Sequence, residues 1–226
     1  SSRGRIPLLV GGTMMYFRAL TEGIAELPAA DDAIREAIDS QAADAGWPAM
    51  LAELASVDAT AAARINPNDS QRIQRALEVY RSSGRTLTDW QQQAKQPKRE
   101  IRYLKIALQI EPRTRLHQRI EARLDKMVGE GFVEELRRLR RRPGLTRDCS
   151  AMRSVGYRQI WKYLDGECSL GEAKVRALFA TRQLAKRQLT WLRSEADVYS
   201  VDPLEAGAID TISEYLARNL DEIAGS

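Results

Sequence analysis

The residues of this 226-residue chain best suited to chemistry are arginines in short, distinctive settings. In SVGYRQIW, Ser154 to Trp161, Arg158 follows Gly156 and Tyr157 on a short helix after a loop. There a guanidinium can reach into a cleft and hold an anion, or fold back onto the Trp161 ring; spacing allows both. In QRIQR, Gln71 to Arg75, the i+3 and i+4 spacings gather Gln71, Arg72 and Arg75 opposite Ile73 and Leu77. Arg and Gln suit phosphates and base edges, although a solvated helix face has the same pattern. In ATRQLAKRQLTWLR, Ala180 to Arg193, Arg182, Lys186 and Arg193 form a stripe, with Leu184 and Trp191 available to anchor the opposite side. Such a stripe can track a nucleic-acid backbone or serve as soluble surface. Arg137 to Arg142 is a weaker basic patch, because Glu134 and Glu135 stand ready to neutralise it.

A fourth stretch, RIPLLVGGTMMYFRAL, reads as a buried strand (Ile6 to Val10), a Gly11-Gly12 turn and a helix opening at Thr13. Strand, glycine turn and helix N-terminus are the ingredients of an anion site, and equally of a simple tight turn. No GxxxxGK[ST] phosphate loop occurs in the sequence, and Gly11-Gly12 lacks the lysine that meets phosphates. One histidine, His117, nearly excludes a His-based triad or a His-rich metal site, and Cys149 and Cys168 match no metal or redox spacing. These features predict a reduced, cytoplasmic protein without a membrane span. The formal charge of +4 permits nucleic-acid binding without requiring it.

The elements that must position these residues are mostly helices. Asp31 or Asp32 caps a helix carrying Ile34, Ile38 and Ala42, a Pro-initiated helix follows Gly46, and Asp58 caps another. Asp69 or Ser70 opens the clearest helix, with Ile73, Ala76, Leu77 and Tyr80 on its core face and Gly84 at its end. QQQAKQPKRE reads as a connection, RYLKIALQIE as a buried strand, and Arg113 to Val128 as an amphipathic helix. A second helix carries Phe132, Leu136 and Leu139, and a short one spans Ser154 to Leu164. SLGE at Ser169 is a capping box for a long helix ending near Arg193. ADVYSVD closes the sheet, and a terminal helix starts at about Pro203. Strands separated by helices predict an α/β fold with a parallel sheet.

In order, GRIPLLVGGTMMYFRAL, DATAAARINPNDSQRIQRALEVY, RLHQRIEARLDKMVGEGFVEE, SVGYRQIWKYLDGE and ATRQLAKRQLTWLR make the chain similar to the bacterial tRNA dimethylallyltransferases from about Gly4 to Arg193. Asn66 stands where that family commonly has His. The resemblance implies a P-loop-NTPase-like parallel-sheet core whose phosphate loop and Asp-Ser motif precede this sequence. It makes residues 1–28 and 96–226 an incomplete α/β catalytic core, and 29–95 an all-helical insertion gripping the tRNA anticodon stem-loop. The implied reaction moves a dimethylallyl group from dimethylallyl pyrophosphate, with Mg²⁺, to N6 of adenosine 37, in a monomer. The resemblance places Arg158 at the reaction centre against pyrophosphate, and Thr13 where tRNA approaches the active site. It also assigns tRNA contact to Arg35, to Gln71, Arg72, Ile73, Gln74 and Arg75, and to Thr181, Arg182, Gln183, Leu184, Ala185 and Lys186. Two other readings stand beside it: a basic RNA-binding module without catalysis, and a prenyltransferase acting on free adenine nucleotides. The latter needs no large helical insertion.

Overall fold

The structure, a computed structural model, describes residues 6–94 and 101–224. Two compact units are present, one formed by Thr13–Arg102 and the other by Ser1–Gly12 with Tyr103–Ser226.

The first unit is helical: α1 (Met14–Glu22), α2 (Asp32–Ala45), α3 (Trp47–Val57), α4 (Ala59–Ala62), α5 (Ser70–Ser83) and α6 (Leu87–Ala94). Each start follows from a local signal. Asp31, Asp58 and Asp69 accept from the N–H groups of Ile34, Ala61 and Arg72, supplying partners that the first helical turn lacks. Gly84 ends α5 at φ 69°, a left-handed conformation that favours glycine. Ile38 and Ala42 of α2, Met50 and Leu54 of α3, and Ile73 and Leu77 of α5 close into one core.

Two carboxylates are buried in this unit. Asp58 caps α4 and also reaches α6, accepting from Thr88 N at 3.0 Å and Thr88 Oγ1 at 2.6 Å. Burial pushes its carboxyl up, but the bonds from Thr88 and the Ala61 N–H outweigh it and hold the group below its ordinary value. Glu78 of α5, with no solvent exposure, accepts from Asp31 N at 2.9 Å and from Arg75 Nη1 at 2.7 Å. Burial again acts upward, and the donors from Arg75, Asp31 and Arg35 hold the carboxyl low.

The second unit carries a two-stranded parallel sheet, β1 (Lys105–Leu108) beside β2 (Val198–Val201), with Lys105 opposite Val198 and Leu108 opposite Val201. Between the strands run α7 (Arg113–Gly129), α8 (Phe132–Arg140), a 3-10 turn at Ser150–Arg153, α9 (Tyr157–Leu164) and α10 (Leu170–Ser194); α11 (Ala208–Ala224) follows β2. Ser169 and Glu172 form the anticipated capping box of α10. Phe132, Val133, Leu136, Ile160, Trp161 and Ala173 pack the core of α8, α9 and α10.

Several expectations are corrected. Ile6 to Val10 is not a buried strand: Ile6 is 67% exposed and Val10 86%. A strand needs a neighbour for its N–H and C=O groups, and among the described residues β1 and β2 pair only with each other. β1 itself is half-buried, with Leu108 exposed. Residues 91–94 of the supposed connection complete α6, where Trp90 donates to Ser83 Oγ and the Arg85 guanidinium lies 4.5 Å over its ring; residues 95–100 fall outside the described residues. The Ser154–Leu164 helix starts at Tyr157, because Gly156 has φ 99°. The terminal helix begins at Ala208 rather than near Pro203.

Since Asp58 and Glu78 ionise more readily folded than unfolded, their contribution is complete above the unfolded carboxylate range, about pH 4. It is lost as the pH falls through their lowered folded values. Urea melts followed by circular dichroism will therefore show a midpoint steady from about pH 7 to 5 and falling below about 4. Asp58→Ala strands N–H groups of two helices and lowers stability by about 3 kcal/mol at neutral pH.

Candidate functional site

Arg158 occupies the first turn of α9, exposed, and its guanidinium forms no ion pair among the described residues. The turn presenting it is held from three sides. Gly156 N–H donates to Gln159 Oε1 at 2.8 Å inside the fold. Tyr157 donates its hydroxyl hydrogen to Glu135 of α8, and that bond with the adjoining negative charge raises the phenol above its ordinary value. The Phe132 and Tyr157 rings stack at 5.4 Å. The alternative of Arg158 lying on Trp161 is not realised. Arg140 takes that place, 4.9 Å above the ring and ion-paired to Asp165 at 2.6 Å. With Glu134 bound to Arg137 and Glu135 to Tyr157, Arg138, Arg141 and Arg142 stay exposed without an acid partner among the described residues.

On α10, Thr181, Arg182, Gln183 and Ala185 are half-buried, whereas Leu184 and Lys186 are exposed. Leu184, at 38%, does not anchor the helix as its apolar character suggests. Gln183, Lys186 and Arg182 line a cleft of about 100 Å³ with Arg113 and His117 of α7. Arg182 is held by Glu121 at 3.0 Å, yet its buried Nε has no acceptor. Further along α10, Gln188 Nε2 donates to the Gly12 carbonyl at 2.8 Å, and a Cβ on Gly12 would lie 2.4 Å from that nitrogen. The glycine turn thus meets α10 through the Gln188 side chain.

In the helical unit, Thr13 caps α1 without a side-chain capping bond, leaving an exposed hydroxyl. Gln71 and Arg72 are exposed, Arg72 in a loose 3.4 Å pair with Asp69. Gln74 donates to Asp39 of α2 at 2.7 Å. Ile73 is wholly buried, so its side chain belongs to the core and presents nothing to a ligand. Arg35 and Arg75, distant in sequence, meet on Glu78. Arg75 Nη2 also donates to the Pro28 carbonyl at 2.8 Å. Arg75 therefore turns away from the simple face predicted with Gln71 and Arg72. The sequence reading does not single out Glu78, although an acid between Leu77 and Val79, three residues after Arg75, is its signal.

With this geometry in place, residues 1–195 match the family model described as IPP transferase. The chain belongs to that family. Among IPP transferases, the chain is 49% identical over 224 residues to the tRNA dimethylallyltransferase of Stenotrophomonas maltophilia strain K279a, covering 96% of this chain and 71% of that protein. The same-named protein of Xanthomonas axonopodis pv. citri is 53% identical over 207 residues, covering 89% of this chain and 63% of the relative, less than two thirds of its length. The crystal structure of the tRNA isopentenylpyrophosphate transferase from Bacillus halodurans aligns with a TM-score of 0.64 and 33% identity, covering 99% of this chain and 70% of that one. This IPP transferase chain therefore has the family's P-loop-like α/β fold. Among its described residues, no helix is long and apolar enough to cross a membrane.

The turn before Arg158 favours glycine. A Cβ on Gly156 would lie 3.1 Å from Phe132 Cζ, on a backbone at φ 99°. Gly156→Ala is expected to cost about 1–3 kcal/mol in urea denaturation. Gly144→Ala, also at positive φ but with open space around it, carries the backbone cost alone and loses less.

Proposed function

We propose that this chain is the greater part of a tRNA dimethylallyltransferase, in which the helical unit grips the anticodon stem-loop and Arg158 serves the prenyl donor. The observation that carries the reading is the family match over residues 1–195. It is supported by the division of the arginines, some locked to acids and some left free on the predicted segments. In the reaction, N6 of adenosine 37 attacks C1 of dimethylallyl pyrophosphate. The new N–C bond forms as the C1–O bond breaks, pyrophosphate leaves with the electron pair, and N6 gives its proton to a general base. An exocyclic amine is a poor nucleophile, so stabilising the leaving group carries much of the acceleration. Arg158, charged and without a competing acid, is suited to the pyrophosphate oxygens. The target base has to leave its stack to be reached.

Thr13, Gln71, Arg72 and Lys186 are the exposed polar members of the tRNA-contacting set, and Arg35, Gln74, Arg75, Thr181, Arg182 and Gln183 are partly exposed. Mg²⁺ would neutralise pyrophosphate charge in this chemistry. The described residues contain no group of three His, Cys, Asp or Glu side chains able to hold a metal ion, so by themselves they do not form a Mg²⁺ site.

With dimethylallyl pyrophosphate, tRNA and AMP offered in parallel to the intact enzyme, label is expected in tRNA; label in AMP alone rejects the reading. In the intact enzyme, Arg158→Ala is expected to lower the single-turnover rate by about a hundredfold or more while leaving tRNA affinity unchanged. Combined Arg72→Ala and Lys186→Ala should instead weaken tRNA binding and reduce its salt slope by about one to two, as phosphate contacts are lost.

A further inference from the structure

Glu78 lies three residues beyond Arg75, with its side chain 1% exposed. Around it are Arg75 Nη1 at 2.7 Å, Asp31 N at 2.9 Å, Arg35 Nε at 3.0 Å and Arg35 Nη2 at 3.4 Å. The Arg35 Nε approach is an ion pair off the hydrogen-bond axis, leaving that buried N–H without an acceptor. Two guanidinium groups brought to one place repel, and one carboxylate between them leaves the trio with a net charge of +1. Arg75 commits only two of its five N–H donors, one to Glu78 and one to the Pro28 carbonyl. The Arg35 and Arg75 side chains remain 38% and 31% exposed. Each arginine is thus fixed by an inner bond and still open to an anion.

We propose that Glu78 is a positioning residue for RNA binding: its buried carboxylate holds Arg35 and Arg75 side by side so that their free N–H edges meet phosphates of the tRNA backbone. The proposal rests on the tRNA reading above. Three features favour it. The cluster keeps an excess positive charge. It joins the α2 arginine to the end of the segment Gln71–Arg75. And a pre-ordered guanidinium gives up less rotational freedom on binding than a loose one.

The test separates positioning from charge and from stability because the three make opposite demands. Glu78→Gln raises the net charge by one, so electrostatics alone would tighten RNA binding. Binding of a tRNA anticodon stem-loop to the full chain, followed by fluorescence anisotropy at two salt concentrations beside urea melts, is expected to weaken about tenfold. In the Arg35→Ala, Arg75→Ala background the same change is expected to bring no further loss of affinity. Tighter binding would make Glu78 a mere neutralising charge. Unchanged affinity with lowered stability would make it a fold residue only. Either result overturns the proposal, as does full additivity with the arginine changes. Should Glu78→Gln not fold, Glu78→Asp retains the charge and shortens its reach by one methylene. An affinity loss of about threefold is then expected, and no loss overturns the proposal. If the unaltered chain does not bind the stem-loop at all, the tRNA reading itself falls, and the proposal with it.

Discussion

A carboxylate that has lost all its water persists as an anion only where donors replace that water, and the helical unit is organised around this demand. Glu78 draws the start of α2, through Asp31 N, and the Pro28 region, through Arg75, onto α5 across 47 residues of chain. Asp58 does the same for α4 and α6 across 30. Apolar burial of Ile38, Leu54, Ile73 and Leu77 supplies the bulk of the driving force. It is non-directional, however. The buried acids set which turns of which helices face one another, because a misplaced donor leaves a charge unsatisfied.

In the second unit the corresponding constraint is steric. A methyl at Gly156 would crowd Phe132 at 3.1 Å on a backbone at φ 99°, and Gln159 and Glu135 bind the turn from either side. Arg140 covers Trp161, which keeps the neighbouring aromatic surface from capturing Arg158. A free arginine on a rigid turn suits the leaving-group role proposed for it, since a pre-placed charge needs no reorganisation as the reaction proceeds.

The arginines therefore divide by partner rather than by position. Arg140 is tied to Asp165 on the Trp161 ring and serves the fold, and Arg182 is held on one side by Glu121. Arg158 and Lys186 are left without acids among the described residues. Arg35 and Arg75 lie between these groups, bound on one side and open on the other. The reaction proposed for this chain calls for both kinds of cation, one set meeting a polyanionic RNA and another meeting a small leaving group.

The helices were legible because their signals are local. Asp31, Asp58 and Asp69 cap within three residues, Gly84 and Ser169 mark an end and a start, and apolar periodicity fixes the inward face. The parallel pairing of the strand around Lys105 to Leu108 with that at Val198 to Val201 followed from the helices between them. The same reading named Arg158, and the ordered motifs carried the family. What it could not reach depends on residues distant in the chain. Ile6 to Val10 has the composition of a strand, but a strand exists only beside a partner. Ile73 belongs to the recognition segment by motif and to the core by packing. Arg75 sits on a polar face by periodicity and turns to Glu78 because an acid buried beside it leaves no other low-energy choice. Local hydrogen bonding and periodicity are written residue by residue, so the sequence alone determined the helices and the identity of the cations. Which cations are spent on buried acids and which stay free is a matter of long-range pairing, and only the tertiary structure decided it.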